Sequence, residues 1–377
     1  MKLKVMHLIS SMNQGGAQHL VLDYLRNLKD VPDVELKLVV IGEKKDSFYD
    51  QSLEKEHLDV EYLNCTGSRF RNSILRACQN WCSQVKAIDR AIRDYRPDII
   101  HTHITIILKH ALLPIVKNQV PLRFNTLHSD PAVYQGTNLL IAKYGLRLGY
   151  FVPVCITEEQ AEKAKKRYGF RNYEILRNGI DTEAFQRAWI SRDDARDRLY
   201  LPRDVFVLGS VGRFNKIKNY SFLLDVFAGV LIQKGNALLV LAGDGGERAT
   251  LEHKANALNI SDRVIFLGNR EDVATVYCAL DVFVLPSVHE SCSLVTLEAQ
   301  AVGTRCVVSA GIPAEAVATP NVRRMGEKAS RDEWVSAILD DSYAEDIVCP
   351  LSEYDVKKAS AGLKAMYLKY WSGLSHG

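Results

Sequence analysis

The chain has 377 residues, 25% of them charged and 47% hydrophobic. That is the composition of a globular protein, with length enough for two α/β domains. No run of 18 uncharged apolar residues occurs, which excludes a transmembrane helix, and no basic–aromatic interleaving suggests a nucleic-acid partner. The net charge of +3 divides unevenly: residues 1–180 hold 26 Lys+Arg against 19 Asp+Glu, and residues 181–377 hold 22 against 26. The basic first half and acidic second half are expected to meet different partners.

The first residues, MKLKVMHLIS, lack the apolar length of a signal peptide, so a cytoplasmic location is expected. The eight cysteines include no Cys-x-x-Cys pair and read as reduced, with no metal site implied.

Val5 to Ser10 reads as a buried strand. It is followed by Gly15-Gly16-Ala17-Gln18 and a helical pattern through Leu20, Val21, Tyr24, Leu25 and Leu28. Strand, glycine turn and helix open a nucleotide-type α/β domain. Paired glycines allow a left-handed turn and a close backbone approach to a ligand; the alternative is a tight turn that only starts a helix. Strands are expected at Leu36–Ile41, Val60–Leu63, Asp98–His101, Leu122–His128, Val152–Thr157 and Tyr173–Leu176, with helices between them. This alternation predicts a parallel sheet covered on both faces. Two strands end in histidine, at His101-Thr102-His103 and at His128, where open α/β sheets bind ligands.

Arg69 to Arg96 reads as a long basic helix. Its first turn, Arg69-Phe70-Arg71, sets cations beside an aromatic ring, as a membrane interface favours. Lys143 to Phe151 is a second basic and apolar candidate. The alternative for both is a solvated amphipathic surface.

After a charged linker over residues 182–204, Phe206–Gly212 reads as a strand. It runs into Arg213-Phe214-Asn215-Lys216-Ile217-Lys218 and a helix from Tyr220. A guanidinium and an ammonium at such a loop suit phosphate oxygens. Further strands are expected at Ala237–Leu241, Val264–Leu267 (then Gly268-Asn269-Arg270), 281–286 and Cys306–Ser309. The string Ser287 to Gly303, SVHESCSLVTLEAQAVG, places Glu290 just before a helix opening at Leu294, and Glu298 one turn inside it. The first amides of a helix carry partial positive charge and free N–H groups. That end could hold a diphosphate, with Glu298 accepting hydrogen bonds from a diol.

These strings resemble the retaining glycosyltransferases of family 4, of the GT-B type. The matching residues are Gly15-Gly16-Ala17-Gln18, Asn178-Gly179-Ile180-Asp181, Gly212-Arg213 with Lys218, and Pro286-Ser287 with Glu290 and Glu298-Ala299. Gln18 stands where the pattern has Glu, Ser291 and Ser293 where it has glycines, and Arg305 where it often has Pro. The resemblance implies two Rossmann-like parallel α/β/α domains facing a cleft. The first domain would span residues 1–181 on the acceptor side and the second residues 182–353 for the nucleotide sugar. Residues 354–377 would form a C-terminal helix crossing back to the first domain. It implies donor contacts from Gly15, Gly16, Arg213, Lys218, Arg270, Glu290, Ser293, Leu294, Val295 and Glu298. It also gives catalytic parts to Arg213, Lys218, Glu290 and His128, with His103 a further candidate.

The activity implied is transfer of a hexosyl group, with retention, from a nucleotide sugar to a glycan or lipid-linked acceptor. A UDP-sugar is the expected donor, no cofactor or metal is required, and an anionic membrane is a possible surface through Arg69, Phe70 and Arg71. Two alternatives stay open: an epimerase acting on a UDP-sugar, and a nucleotide-sugar-binding protein without transfer activity.

Overall fold

The computed structural model describes residues 2–13, 15–65, 74–148, 150–340, 342 and 351–375. They form two compact units: Met1–Gly179 with Val356–Gly377, and Ile180–Asp355. The chain crosses between units twice, after Gly179 and after Asp355. There Ile180 and Asp355 form a parallel bridge, the Ile180 amide donates to Tyr354 O at 2.8 Å, and Thr182 Oγ1 donates to the Asp355 carboxylate. The unit boundaries therefore fall two residues from the expected 181/182 and 353/354.

The first unit holds β1 (Leu3–Ile9), α1 (Gly16–Leu28), β2 (Val34–Val40), α2 (Phe48–Lys55), β3 (Val60–Tyr62), α3 (Ile74–Tyr95), β4 (Ile99–His103), α4 (Leu108–Lys117), β5 (Leu122–Thr126), α5 (Gly136–Arg147), β6 (Val152–Cys155), α6 (Glu158–Tyr168) and β7 (Glu174–Ile175). Its sheet is parallel, in the order β3-β2-β1-β4-β5-β6-β7. The strands are apolar because both faces are covered. Met6, Leu8, Ile100 and Cys155 pack with Ile88, Ile92, Ile115 and Leu146 of α3, α4 and α5. On the other face Val5, Ile99, Phe124 and Val154 pack with Leu20 and Tyr24 of α1.

The second unit holds α7 (Thr182–Ala188), α8 (Arg192–Arg198), β8 (Phe206–Val211), α9 (Tyr220–Gln233), β9 (Ala237–Ala242), α10 (Arg248–Ala257), β10 (Val264–Gly268), α11 (Val273–Ala279), β11 (Val282–Leu285), α12 (Leu294–Ala301), β12 (Cys306–Val308), β13 (Val322–Arg324) and α13 (Arg331–Leu339). Its parallel sheet runs β10-β9-β8-β11-β12-β13. Leu208, Leu239 and Val284 face α9, α10 and α13; Val207, Val240 and Phe283 face α8 and α11. Strand β13 was not anticipated, since its half-exposed Val-Arg-Arg carries no apolar alternation.

The last helix, α14 (Val356–Ser375), belongs to the first unit. Leu363, Met366 and Tyr367 bury into the same cluster as α1. Gly362 admits Leu176, whose side chain would lie 3.2 Å from an added Cβ. Lys364 pairs with Asp33 at 2.8 Å and Lys369 with Glu174 at 2.7 Å.

Each sheet reverses its strand order once, between β1 and β4 and between β8 and β11. The carboxyl ends of the strands at such a switch point are where open α/β sheets take ligands.

Candidate functional site

In the second unit the switch point is built on glycines. Gly212 follows β8 with φ 143° and Gly243 follows β9 with φ 134°. A Cβ on Gly243 would lie 2.1 Å from Gly212 O, so the two turns run backbone against backbone as only glycine allows. Beyond them the buried Phe214 anchors the loop while Arg213 stays exposed, with no hydrogen bond or ion pair among the described residues. Asn215 Oδ1 accepts the Lys218 amide at 3.0 Å and fixes the turn entering α9.

Lys218 meets the other side of the switch point. Its Nζ lies 2.8 Å from Glu290 Oε1, both side chains being mostly buried. Ser287 Oγ donates to the same Glu290 oxygen at 2.8 Å, and the Val288 amide donates to Ile217 O at 2.8 Å. The Glu290 amide donates to Gly311 O at 2.9 Å, where a Cβ on Gly311 would strike Val288 O at 2.3 Å. Residues 218 and 290, from separate motifs, are thus held as an ion pair at the ends of neighbouring strands β8 and β11.

Helix α12 opens at Leu294 with Ser293 as its N-cap. The Ser293 hydroxyl bonds Thr296 Oγ1 at 2.8 Å instead of capping an amide. The Leu294 amide turns back to Cys292 O at 3.1 Å; the Val295 amide has no hydrogen-bond partner among the described residues. Of the two expected anion donors, Val295 therefore has its N–H free. Ser293 adopts φ −88°, so nothing here requires glycine. Glu298 accepts a hydrogen bond from the buried Tyr277 hydroxyl at 2.7 Å. Burial, and then the Glu298 charge, raise that phenol well above its ordinary pKa. Arg270 is gripped by Asp272 through two 2.8 Å hydrogen bonds, which raise its pKa. Arg305 donates to Asp340 O and Ile338 O behind β12, a structural use of the residue in place of Pro.

The first unit departs from expectation at its glycine loop. Gly15 has φ 168°, which is extended, and Gly16 begins α1, so the left-handed turn is absent. What Gly15 provides is room: a Cβ would lie 2.5 Å from Gln18 Oε1, while Gln18 Nε2 donates to Ser11 O at 3.2 Å. A glutamate could not make that bond. Strand β5 ends at Thr126 rather than His128, leaving His128 half-buried in the following loop. Arg69, Phe70 and Arg71 lie outside the described residues.

The sequence reading also missed a cluster behind His128. His7 on β1 pairs in register with His101 on β4. His103 lies two residues on and so shares their face. His7 Nδ1 and His103 Nε2 are 2.8 Å apart, and His103 Nδ1 and His128 Nε2 3.1 Å. Burial lowers the His7 pKa to about 3 and that of His128 to about 4. His101 and His103 are pushed down by burial and by neighbouring histidines, so all four are neutral near pH 7. The nitrogens of His7, His101 and His103 lie within 4.8 Å of one another, close enough to surround a metal ion. Yet each already has a hydrogen-bonded partner without one. The available signals were a histidine centred in the apolar strand LKVMHLI and the His-x-His repeat.

Two parallel sheets, each reversing once, with a cation loop set against an acid-bearing loop and helix at the second sheet's switch point, define a doubly wound α/β protein with a candidate ligand site there. A family profile described as Glycosyltransferase Family 4 matches residues 14–184, and one described as Glycosyl transferases group 1 matches residues 191–340. The chain belongs to these glycosyltransferases. It is 28% identical over 319 residues to EpsF of Bacillus subtilis (strain 168), which carries a glycosyltransferase name; the match covers 82% of this chain and 79% of that protein. It is 29% identical to the UDP-Gal:alpha-D-GlcNAc-diphosphoundecaprenol alpha-1,3-galactosyltransferase of Escherichia coli, over 58% of this chain and 59% of that enzyme. Anabaena HepE, in a crystal structure with UDP-glucose, superposes with a TM-score of 0.80 at 20% identity, over 97% of this chain and 100% of that one. At that identity the likeness establishes the GT-B fold.

Proposed function

We propose that the chain is a retaining hexosyltransferase. It moves a hexosyl group from a UDP-sugar to a glycan or lipid-linked acceptor in polysaccharide or lipopolysaccharide assembly. The observation that carries this reading is the Lys218–Glu290 pair, 2.8 Å apart, beside the opening of α12. It brings a phosphate-seeking cation and a sugar-seeking carboxylate to one switch point, as nucleotide-sugar transfer requires. The relatives' names support the donor and acceptor classes: one acts from UDP-Gal on a diphosphoundecaprenol-linked sugar, and another is a lipopolysaccharide core biosynthesis glycosyltransferase of Rhizobium meliloti (strain 1021).

Arg213, Lys218 and the Val295 amide are assigned to the diphosphate, whose charge grows as the glycosidic bond breaks. The Leu294 amide joins them if its turn opens on binding. Glu298 is assigned to the ribose, and Arg270, with Gly268, to the base side. Glu290, Ser293 and His128 are assigned to the transferred sugar, with Gly15 and Gly16 admitting the donor to the first unit's loop. The route needs no metal and no covalent intermediate on Glu290, since the departing diphosphate can accept the acceptor's proton. No helix among the described residues is long and apolar enough to cross a membrane; access to a lipid-linked acceptor is assigned to peripheral docking of the first unit.

The test is incubation of the purified chain with UDP-, GDP- and ADP-sugars, with and without polyprenyl-diphosphate-linked acceptors. Product linkage is read by NMR. An α-linked product formed only with acceptor, and best from a UDP-sugar, is expected. Epimerised nucleotide sugar without acceptor would replace this reading with an epimerase. Donor binding without turnover across the acceptor panel would leave a binding protein.

A further inference from the structure

His128 stands at the open end of a continuous chain of buried hydrogen bonds. From the closed end, Thr126 Oγ1 and His101 Nε2 are 2.6 Å apart, and His101 Nδ1 and the Tyr367 hydroxyl 2.6 Å. The Tyr367 hydroxyl lies 3.3 Å from His7 Nε2. The two links already described then join His7 to His103 and His103 to His128. All but His128 are buried. Tyr367 reaches the chain from α14, which stacks it edge-on against His101 and His7.

A neutral imidazole has one N–H and one lone pair, and a hydroxyl has one proton to give. A hydroxyl oxygen can also accept twice, so the five links allow three patterns: all protons toward Thr126, all toward His128, or Tyr367 accepting from both His101 and His7, which leaves the Tyr367 proton buried with no acceptor among the described residues. If protons point toward Thr126, the Thr126 hydroxyl accepts from His101, and its own proton is left buried with no acceptor, because His101 is the only side-chain hydrogen-bond partner of Thr126 among the described residues. If they point toward His128, all five donors are used, and the spare N–H falls on His128, the one member that is not fully buried. An unsatisfied buried donor costs enough to favour the pattern toward His128 over both others by about tenfold or more.

We propose that the Thr126–His101–Tyr367–His7–His103 chain locks His128 in the tautomer carrying its proton on Nδ1. His128 then meets its ligand as a hydrogen-bond donor, its Nε2 lone pair already engaged by His103. The five others are positioning residues. That the ligand is the transferred sugar rests on the function proposed above; the tautomer does not.

The test uses the full-length chain carrying histidine labelled with ¹⁵N in the ring. Long-range ¹H–¹⁵N spectra distinguish protonated from unprotonated ring nitrogens, and His128→Gln assigns the signals. The expected wild-type spectrum shows His128 with protonated Nδ1 and bare Nε2, the other form being about a tenth or less. Tyr367→Phe keeps the ring packing but cuts the chain, and Thr126→Val removes its directing proton. Each is expected to bring the two forms to within a few-fold of one another, while Thr126→Ser restores the wild-type pattern. A wild-type His128 protonated on Nε2 overturns the proposal, as does a pattern unmoved in both Tyr367→Phe and Thr126→Val. In the transfer assay, Thr126→Val is expected to lower kcat several-fold with the donor KM little changed. The stated tautomer shift with kcat unmoved would uphold the chain and overturn the part given to His128 in transfer.

Discussion

Replacing Lys218 by Ala removes the cation of the Lys218–Glu290 pair and separates two effects that the intact pair superimposes. Both side chains are mostly withdrawn from water, at 14% and 16% exposure, so an effective dielectric near 20 is the appropriate scale. A unit charge about 4 Å from a phosphate oxygen is then worth roughly 4 kcal/mol, and the Glu290 carboxylate at about 7 Å opposes binding by roughly 2 kcal/mol. Lys218→Ala should lower kcat by about 10²–10³, the range for loss of one donor to a developing oxyanion. Its melting temperature should fall, because Glu290 is left mostly buried with Ser287 in place of its counter-charge, but the fold should persist, because the turn is held by Asn215 through the backbone of residue 218. Glu290→Gln should do the reverse at the binding step, tightening UDP by several-fold while slowing transfer. Arg213→Ala, which loses no ion pair, gives the comparison without the opposing carboxylate. Calorimetric titration with UDP, initial rates of sugar transfer and thermal melts read all three. Turnover within tenfold of wild type in a folded Lys218→Ala protein, or weaker UDP binding by Glu290→Gln, would refute the electrostatic reasoning.

Glu298→Gln should weaken UDP-sugar binding by roughly 1.5–3 kcal/mol, as for a hydrogen bond to a charged group, while retaining an oxygen for the Tyr277 hydroxyl. Glu298→Ala should in addition lower stability by about 1–3 kcal/mol, because Tyr277 is left buried without its acceptor; equal melting temperatures for the two variants would show that Tyr277 has another partner. The four neutral histidines set an acid limit on the first unit. Their folded pKa values lie below the unfolded value of about 6.5, so the stability they confer is complete above that pH and is lost as pH falls toward 4, by up to about 1.4 kcal/mol per pH unit for each histidine. Urea melts at pH 7, 6 and 5 should show a progressive loss, and flat midpoints would contradict the buried, neutral assignment. For the membrane, Leu140, Tyr144 and Leu148 are exposed by 59%, 64% and 57% along one stripe of α5 and just beyond it, with Lys143 and Arg147 beside them. Changing the three apolar residues to Ser should lower binding to anionic vesicles at low salt. Replacing Arg69, Phe70 and Arg71 together tests the other basic segment, and binding untouched by both sets would remove the docking surface from the first unit.

Much of the fold was legible because parallel strands covered on both faces read as unbroken apolar runs, and because Gly243, Gly245 and Gly311 sit where a Cβ would strike backbone. Strand ends were less legible. The mixed stretch Leu122-Arg123-Phe124-Asn125-Thr126-Leu127 carries no signal that the ladder stops at Thr126, where pairing with β6 covers only Phe124, Asn125 and Thr126. The left-handed glycine turn failed for a different reason. Gly15 is needed for the side chain of Gln18, a contact three residues away, whereas the pattern shows only that a Cβ is unwelcome. Arg69-Phe70-Arg71 shows the limit of local composition, which names a surface without placing it.

The candidate site was legible residue by residue but not as a network, and the difference is physical. Arg213, Lys218, Glu290 and Glu298 announce themselves because cations and carboxylates at strand ends have few structural uses. Ser287, Tyr277 and Asn215, which hold three of them, have ordinary composition and distant partners. The histidines show this most clearly. His7 and His101 lie 94 residues apart and meet only because β1 and β4 are adjacent at the switch point, while Tyr367 enters from a helix 266 residues beyond His101. A crossover sheet brings such residues together at the step where its strand order reverses, so the polar support of the site is written in topology rather than in spacing. That also explains why α14 ends its long excursion on the first unit's sheet. Its buried face is Val356, Ser360, Leu363, Met366 and Tyr367; the Ser360 hydroxyl donates to Val356 O within the helix, and the Tyr367 hydroxyl is what the two flanking histidines lack.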